Sequence, residues 1–246
     1  MSRKVTQNKK AAKRNSYIWR SKLPFKSQQM PVIYTRTINP ETRLAVWHAT
    51  EDAEKLHEQL DLEPGDEKIY AAIRNQNRKL QWLGCRMALS HLRQTRRVEI
   101  RYDEHGKPFL ASGAARISFS HTGLYAAAIC SSTFNVGIDL EQIREKINRV
   151  AERFLTPYEL KLASGEDRIR VLTLFWAAKE ALYKINGKPD LDMQHDICVE
   201  SFDYLCNTDG ELNVLMKLNG RSQGVTVFYH QMEDHILAWA ALTENY

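Results

Sequence analysis

The chain has 246 residues, 43% hydrophobic and 26% charged, enough for one large domain or two of about 110–120 residues. No apolar run reaches the roughly 18–20 residues of a membrane helix, so a helical membrane span is excluded. The net charge of +5 is uneven: residues 1–29 hold nine Lys/Arg and no acid, so the remainder carries −4 and the fold itself is not basic. No secretory signal peptide is visible, and Cys85, Cys130, Cys198 and Cys206 show no CxxC spacing, so reduced thiols and a cytoplasmic location are expected.

The arm 1–29 reads first as a flexible solvated tail. It also reads as an upstream extension with Met30 as the natural start, and last as a segment that binds nucleic acid or an anionic surface. From residue 30, PVIYTRTI alternates as a strand, and Arg43–Thr50 reads as a second. Glu51–Leu60 is predicted as a helix and Pro64-Gly65 as a break. Asp66–Arg96, free of proline and striped by Leu80, Leu83, Met87 and Leu92, is predicted as one long helix. VEIRYDEHGKPFL predicts strand, turn, strand around Gly106. RISFSHT and LYAAAICSS predict a hairpin about Thr122-Gly123.

Ser131–Asn135 is the expected crossing between two halves, 30–134 and 135–246. In VGIDLE, Val136–Glu141, strand alternation puts Val136, Ile138 and Leu140 on one face and Gly137, Asp139 and Glu141 on the other. The two carboxylates then lie roughly 7 Å apart along the strand. Ile143–Phe154 reads as helix or irregular basic segment. Thr156-Pro157 opens a further helix, with Thr156 as N-cap, and Asp167–Ile185 is a long helix ended by Asn186-Gly187. The stretches 197–205, 212–218, 225–231 and 236–242 alternate as an antiparallel sheet. The expected class is α+β: two similar halves, each a long helix packed on antiparallel strands.

On the long helix, Glu180 and Lys184 stack at i,i+4 in FWAAKEALYK, Phe175–Lys184. Such a pair is ordinarily a solvated surface pair, and an Asp-x-Glu is ordinarily the wet side of a strand. Laid across the polar face of VGIDLE, however, Glu180 would bring three carboxylates and a lysine together. That set suits a hard divalent cation held against a phosphate.

VGIDLE followed about forty residues later by WAAKEALYK resembles the signature of the 4′-phosphopantetheinyl transferase superfamily. ISFSHTG (117–123) resembles its Ser-x-Ser-His segment and HGKPFL (105–110) its Gly-Lys-Pro segment. The resemblance covers Arg78 to Lys184. Length and the presence of both halves in one chain are similar to the surfactin-type, two-half, monomeric branch rather than to the short trimeric holo-acyl-carrier-protein synthases.

The resemblance implies transfer of phosphopantetheine from coenzyme A to a serine of an apo acyl or peptidyl carrier protein. It implies Mg²⁺, with Mn²⁺ as a substitute, on Asp139, Glu141 and Glu180. It implies Glu180 as base, with Glu141 or a bound water as alternatives, and Lys184 on the pyrophosphate. Lys107 and Pro108 would hold the adenine, although alone they read as a turn. Ser120 and His121 would meet the coenzyme's phosphates, and Arg78 or Arg86 the 3′-phosphate. Gly137 allows either close approach of a ligand or a bulge. Carrier proteins present an acidic helix, so Arg144, Lys146, Arg149 and Arg153, with Ile147, Val150 and Phe154, are the expected docking surface. The set also reads as a solvated basic face. The rival readings are a non-catalytic coenzyme A or nucleotide binder on the same scaffold and a nucleic-acid protein acting through the arm. The carrier's pathway stays open.

Overall fold

A computed structural model of the chain describes residues 32–200, 208–218 and 220–243. The basic arm and Met30 lie outside these residues, as do Cys206 and the end of the strand expected over 197–205. The elements run β1 (Val32–Asn39), β2 (Thr42–His48), α1 (Ala53–Glu58), α2 (Pro64–Ala72), α3 (Gln76–Arg93), β3 (Ile100–Tyr102), β4 (Pro108–Leu110), β5 (Arg116–Thr122) and β6 (Tyr125–Ser131). There follow β7 (Asn135–Gln142), two short 3₁₀ turns (Glu145–Arg149 and Ala151–Arg153), α4 (Pro157–Leu162), α5 (Arg168–Asn186), β8 (Ile197–Val199), β9 (Asp209–Leu218), β10 (Arg221–Met232) and β11 (His235–Leu242).

The strands form two antiparallel sheets, ordered β1-β2-β6-β5-β4-β3 and β7-β11-β10-β9-β8. Strand alternation divides the core. Leu44, Val46, Ala127 and Ile129 of the first sheet meet Val136, Ile138, Leu140, Leu237 and Trp239 of the second. The opposite face of the first sheet, with Ala45, Trp47, Ile117 and Ala128, packs on Leu83, Met87 and Leu89 of α3. The opposite face of the second, with Val214, Val227, Ile236 and Ala238, packs on Leu172, Phe175 and Leu182 of α5. The result is the α+β architecture expected, one long helix outside each sheet.

Two local expectations are corrected. The single helix over 66–96 is two, α2 and α3. Residues 73–75 leave the helix, and the Asn75 side chain accepts from Arg78 N at 3.0 Å, capping a new helix. Pro64 does not break the chain but opens α2, where its fixed φ fits the first turn. At α4 the expected Thr156 cap is a full capping box with Glu159. At the end of α5, Gly187 caps in the left-handed region, φ 69°.

Gly137 has a third role, distinct from the two expected. The β7–β11 register runs without a shift, so there is no bulge. A Cβ there would lie 1.9 Å from the carbonyl oxygen of Ala181. The glycine admits α5 against β7, and so brings the helix that carries Glu180 and Lys184 onto the strand that carries Asp139 and Glu141.

Candidate active site

Asp139 stands on the α5-facing side of β7 and is 3% exposed. Its Oδ1 accepts from Lys184 Nζ at 2.6 Å and from Ser120 Oγ at 2.7 Å. Its Oδ2 is buried and has no partner. Lys184 also donates to the carbonyl of Ile138 at 3.1 Å, so its ammonium is drawn to β7 rather than left beside Glu180. Glu141, two residues on and half-buried, accepts from the indole Nε1 of Trp176 at 2.8 Å. Trp176 packs edge-on to Phe154, with ring centroids 4.9 Å apart, and also holds a carboxylate. Its signal in the sequence was its place four residues before Glu180, on one face of the helix.

Burial, and then the charge of Asp139, push the Glu141 carboxyl up. Burial and then the charges of Asp139 and Glu141, partly offset by Lys184, push Glu180 up to about 7. The three carboxylates therefore feel one another across the α5–β7 contact. Among the described residues, no three His, Cys, Asp or Glu side chains stand together as a formed metal site. The chemistry of the set nonetheless suits a hard cation: all donors are carboxylate oxygens, one of them is buried and unpartnered, and two carboxyls are held above their ordinary range by mutual repulsion and burial.

Beside these groups opens a cavity of about 550 Å³, lined by Asp139, Glu141 and Lys184 and by all of Arg78, Arg86, Lys107, Pro108, Ser120 and His121. Their roles in its wall differ. Arg78 donates to His121 Nε2, which places the imidazole's proton on Nδ1; burial and the nearby Arg78 and Lys184 charges hold His121 down and neutral. Arg86 is 1% exposed and paired with Asp66. Ser120 is buried, with its hydroxyl donating to Asp139. Lys107 donates to the carbonyl of Ile185 at 2.6 Å, tying the β3–β4 turn to the end of α5, and burial lowers its pKa. Gly187 leaves room for it, since a Cβ there would lie 2.5 Å from Lys107 Cδ. Tyr102 on β3, Tyr183 on α5 and Lys188 just after α5 also line the cavity.

Two further groups sit apart. Lys179, next to Glu180 in sequence, is fully buried and bonds Glu159 at 2.8 Å and the carbonyls of Phe154 and Met193. Arg144, Lys146, Arg149 and Arg153 are exposed on the 3₁₀ segment after β7 and line no part of the cavity. Of their expected apolar neighbours, Phe154 is 2% exposed and belongs to the core, while Ile147 and Val150 are half-buried against it. Turns that short spend their apolar side chains on the body beneath them.

Residues 135–240, which hold β7, α5 and most of the second sheet, match the 4′-phosphopantetheinyl transferase superfamily. A curated relative from Synechocystis sp., provisionally named a 4′-phosphopantetheinyl transferase, is 32% identical over 124 residues, covering 45% of this chain and 50% of the relative. The chain thus spans about half the length of the curated relative it matches. No helix among the described residues is long and apolar enough to cross a membrane.

Proposed function

We propose that the protein is a 4′-phosphopantetheinyl transferase of the two-half, surfactin-type branch. It moves phosphopantetheine from coenzyme A to a serine of an apo carrier protein. The observation that supports the reading is the electrostatic coupling of Glu180 on α5 to Asp139 and Glu141 on β7, the latter two lining a cavity rich in cationic side chains, within residues 135–240 that match this superfamily. Mg²⁺, or Mn²⁺ in its place, would be held by Asp139, Glu141 and Glu180 and would neutralise the coenzyme's pyrophosphate.

The chain's own groups divide the remaining work. The serine oxygen displaces the 5′-phosphate of adenosine 3′,5′-bisphosphate at phosphorus, and its proton needs an acceptor. Glu180, raised to about 7 by burial in the absence of metal, is the proposed acceptor of that proton, directly or through a bound water. Lys184 and Arg78 supply positive charge for the phosphates, and neutral His121 is oriented by Arg78. For the 3′-phosphate we favour Arg78, since Arg86 reaches a ligand anion only in competition with Asp66. Lys107 and Pro108 wall the nucleobase end, with Lys107 serving as a joint to α5 rather than as a free cation. The exposed Arg144, Lys146, Arg149 and Arg153 are the proposed contact for an acidic carrier helix.

The test is mass spectrometry of an apo carrier protein incubated with the enzyme, coenzyme A and Mg²⁺. A gain of about 340 Da on the carrier is expected from this transfer chemistry, and Glu180→Ala should abolish it. Coenzyme A binding with no gain on any of several carriers would leave a binder on the transferase scaffold and end the enzyme reading.

A further inference from the structure

Helix α2 has nine residues and buries one side chain, the carboxylate of Asp66. A surface helix is ordinarily seated by an apolar stripe; here Ile69 faces outward, 42% exposed. Half-buried Tyr70 packs on the core, its ring 6.0 Å from that of Trp82, and the one fully buried contact of the helix is ionic. Asp66 Oδ1 accepts from Arg86 Nη2 at 2.8 Å, and the side chains are 3% and 1% exposed respectively. The Arg86 guanidinium lies over the Trp82 ring, and both residues line the cavity. The pair is unsaturated: Arg86 Nε and Asp66 Oδ2 are buried without a partner. The other attachments of α2 are less protected. Glu67 meets His57 at 3.0 Å, Tyr70 stacks on His57 at 4.7 Å, and Lys79 sits 4.7 Å over the Tyr70 ring.

We propose that Asp66 is a positioning residue acting through Arg86. Its carboxylate is the guanidinium's resting counter-ion, and a phosphorylated ligand in the cavity competes with it and loosens α2. This rests on reading the cavity as the coenzyme A site. In a buried setting, one guanidinium facing two anions binds each less tightly than it would bind either alone. Linkage is reciprocal, so if the ligand weakens the Asp66–Arg86 bond, removing the Asp66 charge must strengthen the ligand. Asp66→Asn keeps an oxygen for Arg86 and removes only the charge.

The experiment measures coenzyme A binding to the full chain by calorimetry without divalent metal, for the native protein, Asp66→Asn and Glu67→Gln. It also measures hydrogen exchange of residues 64–72 in the native protein with and without coenzyme A. Asp66→Asn should bind about fivefold tighter, Glu67→Gln should match the native protein, and exchange in α2 should quicken on binding. Equal or weaker binding by Asp66→Asn, or α2 exchange that is unchanged or slowed, overturns the inference. If that variant fails to fold, the exchange measurement on the native protein decides alone. A native protein that binds no coenzyme A with or without Mg²⁺ would instead refute the reading of the cavity.

Discussion

Ser120 on β5 donates a hydrogen bond from its hydroxyl to Asp139 on β7 across 2.7 Å, and this buried bond stitches the first sheet to the carboxylate of the second. Together with Lys184 it occupies Oδ1 and turns the unpartnered Oδ2 away from both. Ser120→Ala should therefore cost about 1.5–3 kcal/mol, the worth of a hydrogen bond to a charged group. It should lower transfer activity about tenfold or more, as loss of a ligand's supporting bond does. Urea unfolding and carrier loading measure the two effects.

Glu180 gives a signed pH dependence. Its carboxyl sits at about 7 in the fold against an ordinary 4.5, so the folded state holds the proton more tightly than the unfolded one. The contribution to stability is fully present below about 4.5 and is lost as pH rises through about 7. Without divalent metal, the native protein should lose melting temperature between pH 5 and 7.5 relative to Glu180→Gln. Parallel curves for the two proteins would contradict the assignment.

Lys179 and Glu159 form a fully buried pair that also gathers Phe154 O, Met193 O, Thr156 N and Val199 N. Lys179→Met leaves a carboxylate buried without its cation and should cost about 3–5 kcal/mol in chemical denaturation. Adding Glu159→Gln should recover part of that loss, because the uncompensated charge is gone.

Gly137→Ala would drive a methyl group to 1.9 Å from a backbone oxygen of α5, where no side chain can yield. Either α5 lifts from β7 or the fold is lost, at a cost of about 3 kcal/mol or more. Thermal unfolding of the purified variant, or its absence from the soluble fraction, reports this.

Charge reversal at Arg149 and Arg153 should weaken carrier binding and remove its salt dependence while leaving coenzyme A affinity unchanged, since neither residue lines the cavity. Titration calorimetry at two salt concentrations separates the two. Unchanged carrier affinity would discard the docking surface.

The amino-acid order alone determined what repeats with a short period or depends on a near neighbour. The two-residue alternation of VGIDLE put Asp139 and Glu141 on one face, and the i,i+4 spacing aligned Glu180 with Lys184. Thr156 and Gly187 marked helix ends because capping is local chemistry. The break at Asn75 was equally local but was passed over because no proline interrupts 66–96. What only the tertiary structure decided is which distant group each charge meets: Lys184 with Asp139, Arg86 with Asp66, Lys107 with Ile185 O, Trp176 with Glu141. A buried charge takes whichever partner the packing of remote elements brings within hydrogen-bonding reach, and desolvation makes that choice binding. No local period carries that information, and for the same reason the role of Gly137 could not be read until α5 lay against it.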